Sequence, residues 1–495
     1  MNSTLPYNHI KNDLVLIGAG HANLKVLKTL AMSPPSGTRI TLITDVMQTP
    51  YSGMMHGYIA GHFMQNETHI DVNRLCKKLN VRILHSSVTG IDPKKQMIFC
   101  DNRPPVSYDY LSINCGSVQN NDTIPGAAEY ALSVRPLQIK NCRGIFHLVI
   151  AGGGPTGVEM SIALRAKINY AMRDMNLIPD TVKVFLCIPD AHVLPGMSKK
   201  AVETIEAYIR EHRITILNNS RLTAVEKDYV YMTDRKQIAA DAVVLATGSG
   251  APEWIVNTDL DTDKNGFICV KKTLQTLKYD NIFAGGDIVS IQGEKTDKSG
   301  VYAVRMADSI IYNIHAVISK RACKSYIPQK KAMYILGMEK DFGVLVRGNL
   351  AFSAPWVKKL KDYIDRKYVK SFSYPALKDI KLKRTPEDSM MRCGGCGGKV
   401  GKALLSDMLC NIKSAAHPDI MLGLNDYSDT ACIQVAPDKY LYQSVDFFRE
   451  LTDDLYLFGK ITALHCLNDI YASGATPHSA LAVMEYLTAG KNQPA

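Results

Sequence analysis

The chain has 495 residues, is 46% hydrophobic and 21% charged, and carries a formal net charge of +11. This composition excludes a disordered or fibrous protein, and the length allows three or four domain-sized units. No apolar run approaches the roughly 18 residues of a spanning helix; the polar start MNSTLPYNHIKND has no secretory core, which predicts a cytoplasmic protein, at most peripheral to a membrane.

The first predicted element is a short apolar strand in DLVLIGAGHAN (Asp13 to Asn23). It runs into Gly18 and Gly20 and then a helical pattern of Leu24, Val26, Leu27 and Leu30. Such a turn lets backbone N–H groups approach a pyrophosphate at the positive end of a helix. The third glycine of the fingerprint is replaced by Asn23. The next strand, RITLITD, ends at Asp45, where an acid meets a ribose hydroxyl. In TPYSGMMHGYIAGHF, Tyr51, His56, Tyr58 and His62 either face a bound cofactor or pack as polar aromatics in a loop.

YDYLSINCGS (Tyr108 to Ser117) ends a strand in a small-residue turn. The fingerprint then recurs complete in HLVIAGGGPTGVE, with Gly152, Gly154 and Gly157 between a strand and a helix. The following strand, VKVFLCI, ends without a carboxylate, which leaves the choice between NADH and NADPH open. ADAVVLATGSG ends its strand near Gly248. DNIFAGGDI sets Asp287 directly after Gly286, where an acid can accept hydrogen bonds from a ribityl chain.

From about residue 10 to 375 the chain resembles flavoproteins with two dinucleotide-binding domains. GGGPTGVE is similar to the type II NADH dehydrogenases and sulfide:quinone oxidoreductases. The resemblance implies an α/β fold with two Rossmann-like domains, the nicotinamide subdomain inserted at about 145–250. It implies FAD at Gly18, Gly20, Asp45, Gly286 and Asp287, and NAD(P)H at Gly152, Gly154 and Gly157, with Gly248 also at a cofactor. No C-x-x-x-x-C follows the first turn, so a disulfide-reductase mechanism is not supported.

PWVKKLKDYIDRKYVKSF (355–372) places Trp356, Leu360, Ile364 and Phe372 at helical spacing with lysines between. It reads either as a basic helix lying in a membrane interface or as a helix packed on its own domain with a solvated basic face. From Lys358 to Arg384, ten Lys or Arg stand against three Asp, a local +7; one such patch without stacking aromatics does not suggest nucleic acid.

After a polar linker (376–390) the features change. RCGGCGGKVG holds Cys396 and Lys399 in a glycine run, and Asp429, Asp446 and Asp469 follow at the edges of apolar segments. Several carboxylates on separate elements suit Mg²⁺–ATP, since hard cations take oxygen ligands. In order and spacing this set resembles selenophosphate synthetase (selenide, water dikinase), whose nucleotide-binding half resembles the aminoimidazole ribonucleotide synthetase fold. The resemblance implies an α+β unit over 391–495. Cys396 would be the selenium-handling nucleophile and Lys399 its partner, also at ATP; Asp446 would lie at ATP, with Asp429 and Asp469 on metal. Ser428 stands where the family has an acid, and the second half of the family's fold is expected after Ala495, so a truncated unit is expected.

Three functional readings follow. One is a flavin oxidoreductase joined to a selenophosphate synthetase, acting on NAD(P)H, selenide and ATP. Another is a stand-alone quinone- or sulfide-linked NADH oxidoreductase with an inert C-terminal piece. In the third, that piece serves to form a homodimer.

Overall fold

The computed structural model describes residues 10–119, 124–131, 145–174, 181–233, 236–294, 296–329, 333–338, 342–373, 417–423, 426, 428–446, 451–452 and 454–483. The chain opens with β1 (Asn12–Ile17), α1 (His21–Met32), β2 (Thr38–Thr44), the short helix α2 (Met55–Ile59), β3 (Arg82–His85) and β4 (Tyr110–Ile113). It then builds a second body from β5 (Phe146–Ala151), α3 (Pro155–Asp174), β6 (Val182–Cys187), β7 (Ile214–Leu217) and β8 (Ala242–Leu245). It returns to the first body with β9 (Ile282–Ala284) and α4 (Gly300–Ile318).

Both bodies are parallel sheets. The first has strand order β9-β4-β1-β2-β3 and the second β7-β6-β5-β8. Strands of this kind are covered on both faces, so they read as unbroken apolar runs such as LVLI, LVIA and AVVL. In each sheet the strand order reverses beside the central strand, between β1 and β4 and between β5 and β8. In open α/β sheets ligands bind outside the carboxyl ends of the strands at such a switch point, and here each glycine turn lies at that end. The first core is closed by both ends of its sequence: Leu16, Leu27 and Leu30 share it with Met306, Ile310 and Ile314 of α4.

Next come an antiparallel meander, β10 (Met333–Gly337), β11 (Gly343–Arg347) and β12 (Leu350–Ala354), and helix α5 (Pro355–Lys370). Helix α5 packs on its own domain, with part of its basic side turned inward. Its inward face is Val357, Lys358, Lys361, Asp365 and Val369, so the basic side is not simply solvated. Trp356 is 54% exposed and Ile364 40% exposed, whereas Phe372, past the helix end, packs inward on Tyr368. The lysines tolerate burial because each has a partner within the helix: Lys358 donates to Asp362, and Lys361 Nζ lies 2.8 Å from Asp365 Oδ2. No helix among the described residues is long and apolar enough to cross a membrane.

The last elements are a three-stranded antiparallel sheet, β13 (Ile420–Leu422), β14 (Ala431–Ala436) and β15 (Lys439–Gln443), and helix α6 (Leu455–Ala472). The Asp454 side chain caps α6 by accepting from the N–H of Leu457. The same carboxylate forms a two-pronged pair with Arg103 of the first body, at 2.9 and 3.2 Å.

Candidate functional site

The first glycine turn is built to let backbone come close. Gly18 has φ +83°, and a Cβ there would lie 2.4 Å from the Cα of Cys115 at the end of β4. Asn23, in place of the third glycine, is buried and replaces absent space with hydrogen bonds. Its Nδ2 donates to the carbonyls of Ile17 at 2.8 Å and Gly18 at 3.0 Å, and Ser112 Oγ donates to its Oδ1 at 2.8 Å.

Asn114, which the sequence reading did not single out, ties the turn together. Its Oδ1 accepts from the N–H groups of Ala22 and Asn23 at 2.9 and 3.1 Å, satisfying part of the first turn of α1. Its Nδ2 donates to the carbonyl of Gly285 at 2.6 Å. Asn114→Ala would strand two buried donors and one acceptor. A loss of about 2–4 kcal/mol of unfolding free energy is expected in urea titrations; a loss under about 0.5 kcal/mol would show that the contacts carry no net stability.

Asp45 is exposed at the end of β2, and Ser87 Oγ lies 3.4 Å from its Oδ2. Gly286 has φ +77° and Asp287 follows it beneath β9; burial pushes the Asp287 carboxyl up, while Lys298 opposes that rise. Two buried polar atoms at neighbouring helix starts have no partner among the described residues: Nδ1 of His21 on α1, and Oγ of Ser299 at the start of α4. Orphaned buried polar atoms beside two helix N-termini, next to a turn with no room for Cβ atoms, fit a bound anionic dinucleotide such as FAD.

The second turn has the same construction. Gly152 has φ +129°, and a Cβ on Gly157 would lie 1.9 Å from the Gly152 carbonyl oxygen, so only glycine lets α3 sit this close to β5. Nothing lies within 4 Å of a Cβ built on Gly154 or Gly248, which line open space.

Between the two turns lies a buried polar cluster. Glu159 of α3 accepts from the N–H of Gly337 at 3.0 Å and faces Nδ1 of His56 at 3.7 Å. Lys361 reaches the carbonyl of Gly53 at 2.7 Å, and Tyr51 donates to Asp365 at 3.2 Å. Tyr51 also packs on His21 and Tyr368. Of the four aromatic positions expected near a cofactor, Tyr51 and His56 join this cluster and Tyr58 packs on His69; His62 lies near enough to disfavour a charge on His56.

Burial pushes the Glu159 carboxyl up from 4.5 to about 7, against the opposing pull of Lys361. A raised folded-state value contributes stability that is fully present below pH 4.5 and is lost as pH rises through 7. The loss is on the order of 3 kcal/mol. Glu159→Gln removes that titration, so the variant should gain roughly this amount relative to the parent between pH 5 and pH 8. Equal pH dependence of the two melting curves would sink the assignment.

The C-terminal site is only partly described. Cys396 and Lys399 lie outside the described residues, as does the expected linker. Asp446 Oδ2 is 2.9 Å from His465 Nδ1, and Ser444 Oγ donates to Asp469 at 3.0 Å. Asp429 is exposed next to buried Thr430, whose hydroxyl is 2.9 Å from that of Ser473. Among the described residues no three His, Cys, Asp or Glu side chains converge as a metal-ion site: Asp446 and Asp469 are turned to protein partners.

The profile of the pyridine nucleotide-disulphide oxidoreductases matches residues 12–307. The chain belongs to this family. It is an enzyme family, and the NADH dehydrogenase-like protein YutJ of Bacillus subtilis is 25% identical over 66% of this chain and 89% of its own. The sulfide:quinone oxidoreductase of Aquifex aeolicus superposes with a TM-score of 0.62 over 76% of this chain and 96% of its own, at 18% identity. The NDH2 of Plasmodium falciparum, solved with NADH, superposes equally well at 16% identity, over 74% of this chain and 99% of its own. These two likenesses establish the fold.

Residues 427–494 match the N-terminal domain of the AIR synthase related proteins. The selenide, water dikinase of Pseudomonas straminea is 36% identical over 22% of this chain, and the chain spans 31% of that relative's length. A pyridine nucleotide oxidoreductase is thus fused to a selenophosphate synthetase-like region. Although disulphide chemistry is in the family's name, Cys115, the cysteine nearest the first turn, is a thiol whose pKa burial raises to about 12. That is far from a reactive thiolate at neutral pH.

Proposed function

We propose that this oxidoreductase takes electrons from NAD(P)H through FAD, and that its C-terminal region belongs to a selenide, water dikinase making selenophosphate, AMP and phosphate from selenide, ATP and water. Residues 10–375 form the flavin unit and 391–495 the dikinase portion. FAD, when bound, supplies two-electron transfer between nicotinamide and acceptor. Gly18 and Gly20 admit its pyrophosphate, Asp45 holds the adenosine ribose, and Gly286 and Asp287 meet the ribityl chain. Gly152, Gly154 and Gly157 admit the nicotinamide dinucleotide, with Gly248 lining the crevice. The observation that supports this reading is the pair of strand–glycine turn–helix units, one at the switch point of each parallel sheet, with positive φ at Gly18 and Gly152.

In the dikinase portion, Cys396 acts as the selenium-handling thiolate, stabilised by Lys399. Asp446 holds ATP with Lys399, and Asp429 and Asp469 hold Mg²⁺ after leaving their present partners. The test is direct: purified protein should carry a flavin spectrum that bleaches anaerobically with NADH or NADPH, and should form AMP from ATP only with selenide and Mg²⁺. A colourless protein that binds no added FAD would end the flavin assignment.

The exposed stripe of Trp356 and Ile364, flanked by Lys359, Lys367 and Lys370, favours a second reading, a quinone-linked oxidoreductase working at a lipid surface. Flotation with anionic vesicles tests it. Trp356→Glu should abolish binding, and unchanged flotation of that variant would refute contact through α5. A dikinase-like portion serving only to pair two chains predicts a dimer with no selenide-dependent AMP.

A further inference from the structure

The described structure buries none of the 18 residues of α6. Helices owe most of their stability to a packed face, so what holds this one is a question about its ends. The residue just before it, Asp454, is 8% exposed. Its Oδ1 accepts from the N–H of Leu457 at 3.3 Å, which caps the helix. The same side chain meets the guanidinium of Arg103 with both oxygens, at 2.9 and 3.2 Å.

Arg103 belongs to the oxidoreductase body. It lies in the turn between the strands Met97–Cys100 and Val106–Ser107. Its side chain is 8% exposed, and its Nε is buried without a hydrogen-bond partner among the described residues. The guanidinium also stands 5.9 Å from the ring centroid of Tyr456 on α6. A guanidinium so far out of water is costly unless a carboxylate meets its fork. Asp454 brings that carboxylate across 351 residues of sequence.

The surroundings of Arg103 suit an acidic visitor. Arg82 begins β3, and its Nε too is buried without a hydrogen-bond partner among the described residues. Burial and the Arg39 guanidinium hold Arg82 below its ordinary range; Asp454 opposes this, Arg103 adds to it and Asp13 opposes it. Arg39 and Asp13, the second residues of β2 and β1, form a pair of their own, with Nε 2.7 Å from Oδ1. The amino ends of β1, β2 and β3, with the neighbouring turn, thus gather Arg39, Arg82 and Arg103 around Asp13. The electrostatic complement of such an edge is a carboxylate.

We infer that this amino edge of the first sheet is a docking surface for the selenophosphate synthetase-like portion, and that the group it recognises is the carboxylate at the N-terminus of α6. The contact reaches further than its own atoms. Helix α6 carries His465, paired with Asp446, and Asp469, to which Ser444 donates. Asp469 lies about 22 Å along the helix axis from Asp454, so fixing the first turn sets the direction in which these side chains are presented. The contact also lies on the side of the sheet away from the first glycine turn. Along β1, Asp13 and Gly18 stand about 16 Å apart. Docking through Arg103 therefore joins the two units without touching that turn, and it holds whether or not the C-terminal portion is catalytically active.

Hydrogen exchange of the full chain, read by mass spectrometry on peptides from α6, tests the inference. Arg103→Met removes the fork. Asp454→Asn removes the charge and keeps a good N-cap. Arg103→Lys keeps a charge without the fork. The fourth variant combines Arg103→Met with Asp454→Asn. Flavin content and NADH turnover are measured on each.

Arg103→Met should speed exchange over the first turns of α6 about tenfold or more, because breaking a desolvated pair leaves a charge uncompensated. Asp454→Asn should do the same, and Arg103→Lys should fall between Arg103→Met and the parent. The double variant should exchange no faster than the faster single one, because both residues act through one contact. Flavin content and NADH turnover should stay at the parental level throughout. Unchanged α6 exchange in both single variants, or a double variant in which the two increases multiply, would overturn the inference and leave α6 held by its cap alone. So would an α6 that exchanges at the unprotected rate in the parent. Exchange that rises across the first sheet and not in α6 would also overturn it, since Arg103 would then serve only its own hairpin.

Discussion

Gly18→Val is expected to yield a protein without flavin. The φ of +83° is one that a β-branched residue does not adopt, and the Cβ would stand 2.4 Å from Cys115 Cα and 2.6 Å from the Asn114 carbonyl oxygen. These are backbone atoms that no rotamer change can move. β1 and β4 would have to separate at their carboxyl ends, where Gly20 N–H bonds to the Asn114 carbonyl. A cost of roughly 4 kcal/mol or more follows from strain and lost packing together. The check is flavin absorbance per polypeptide alongside the melting temperature. Gly154→Ala serves as the control, because nothing occupies the space around its Cβ: that variant should keep its flavin and its fold. A yellow, stable Gly18→Val protein would remove the close approach of β1 and β4 as the basis of the site.

Lys361→Met should destabilise the fold by about 3–5 kcal/mol at pH 8, because it leaves the buried Asp365 carboxylate without its cation and with only the Tyr51 hydroxyl. Lys361 is 7% exposed and Asp365 6%, so water cannot replace the lost contact. The lysine also opposes the rise of the Glu159 carboxyl, so two carboxyls lose one cation. Both then titrate higher in the folded chain than in the unfolded one. Groups raised in this way favour folding below their unfolded values and lose that contribution as pH climbs through the folded values. The deficit of Lys361→Met should therefore shrink between pH 8 and pH 5, which denaturant melts at the two pH values would detect. A deficit independent of pH would mean that the lysine acts through its methylenes alone.

The glycine turns, their strands and the two acids after β2 and β9 were legible in the sequence, since each rests on local spacing and on an apolar run of strand length. Asn114 was not, because its partners Ala22 and Asn23 lie more than 90 residues earlier and nothing local marks an asparagine that caps a distant helix. The inward side of helix α5 was not legible for a related reason. Its period is helical, but which side faces inward depends on Gly53, Tyr51 and Glu159, contributed by segments far away in sequence. An i,i+4 pair such as Lys361 and Asp365 looks the same on a surface as in a core. The Cys396 and Lys399 assignments rest on the likeness of a glycine-rich motif. The three C-terminal aspartates fall on one sheet–helix unit, but no spacing rule foretold that Asp446 would be held by His465.

The Asn114 bridge has a consequence for how the chain is made. Its Nδ2 reaches Gly285 across 171 residues of sequence, and β9 closes the first sheet only after the whole second body has been synthesised. A nascent chain emerging from the ribosome can complete the second body while the first still lacks its final strand and α4. The cofactor crevice is therefore the late step, set by the cost of closing a long loop. Chains halted before residue 282 should expose the open edge of β4 and be the species that needs chaperone protection.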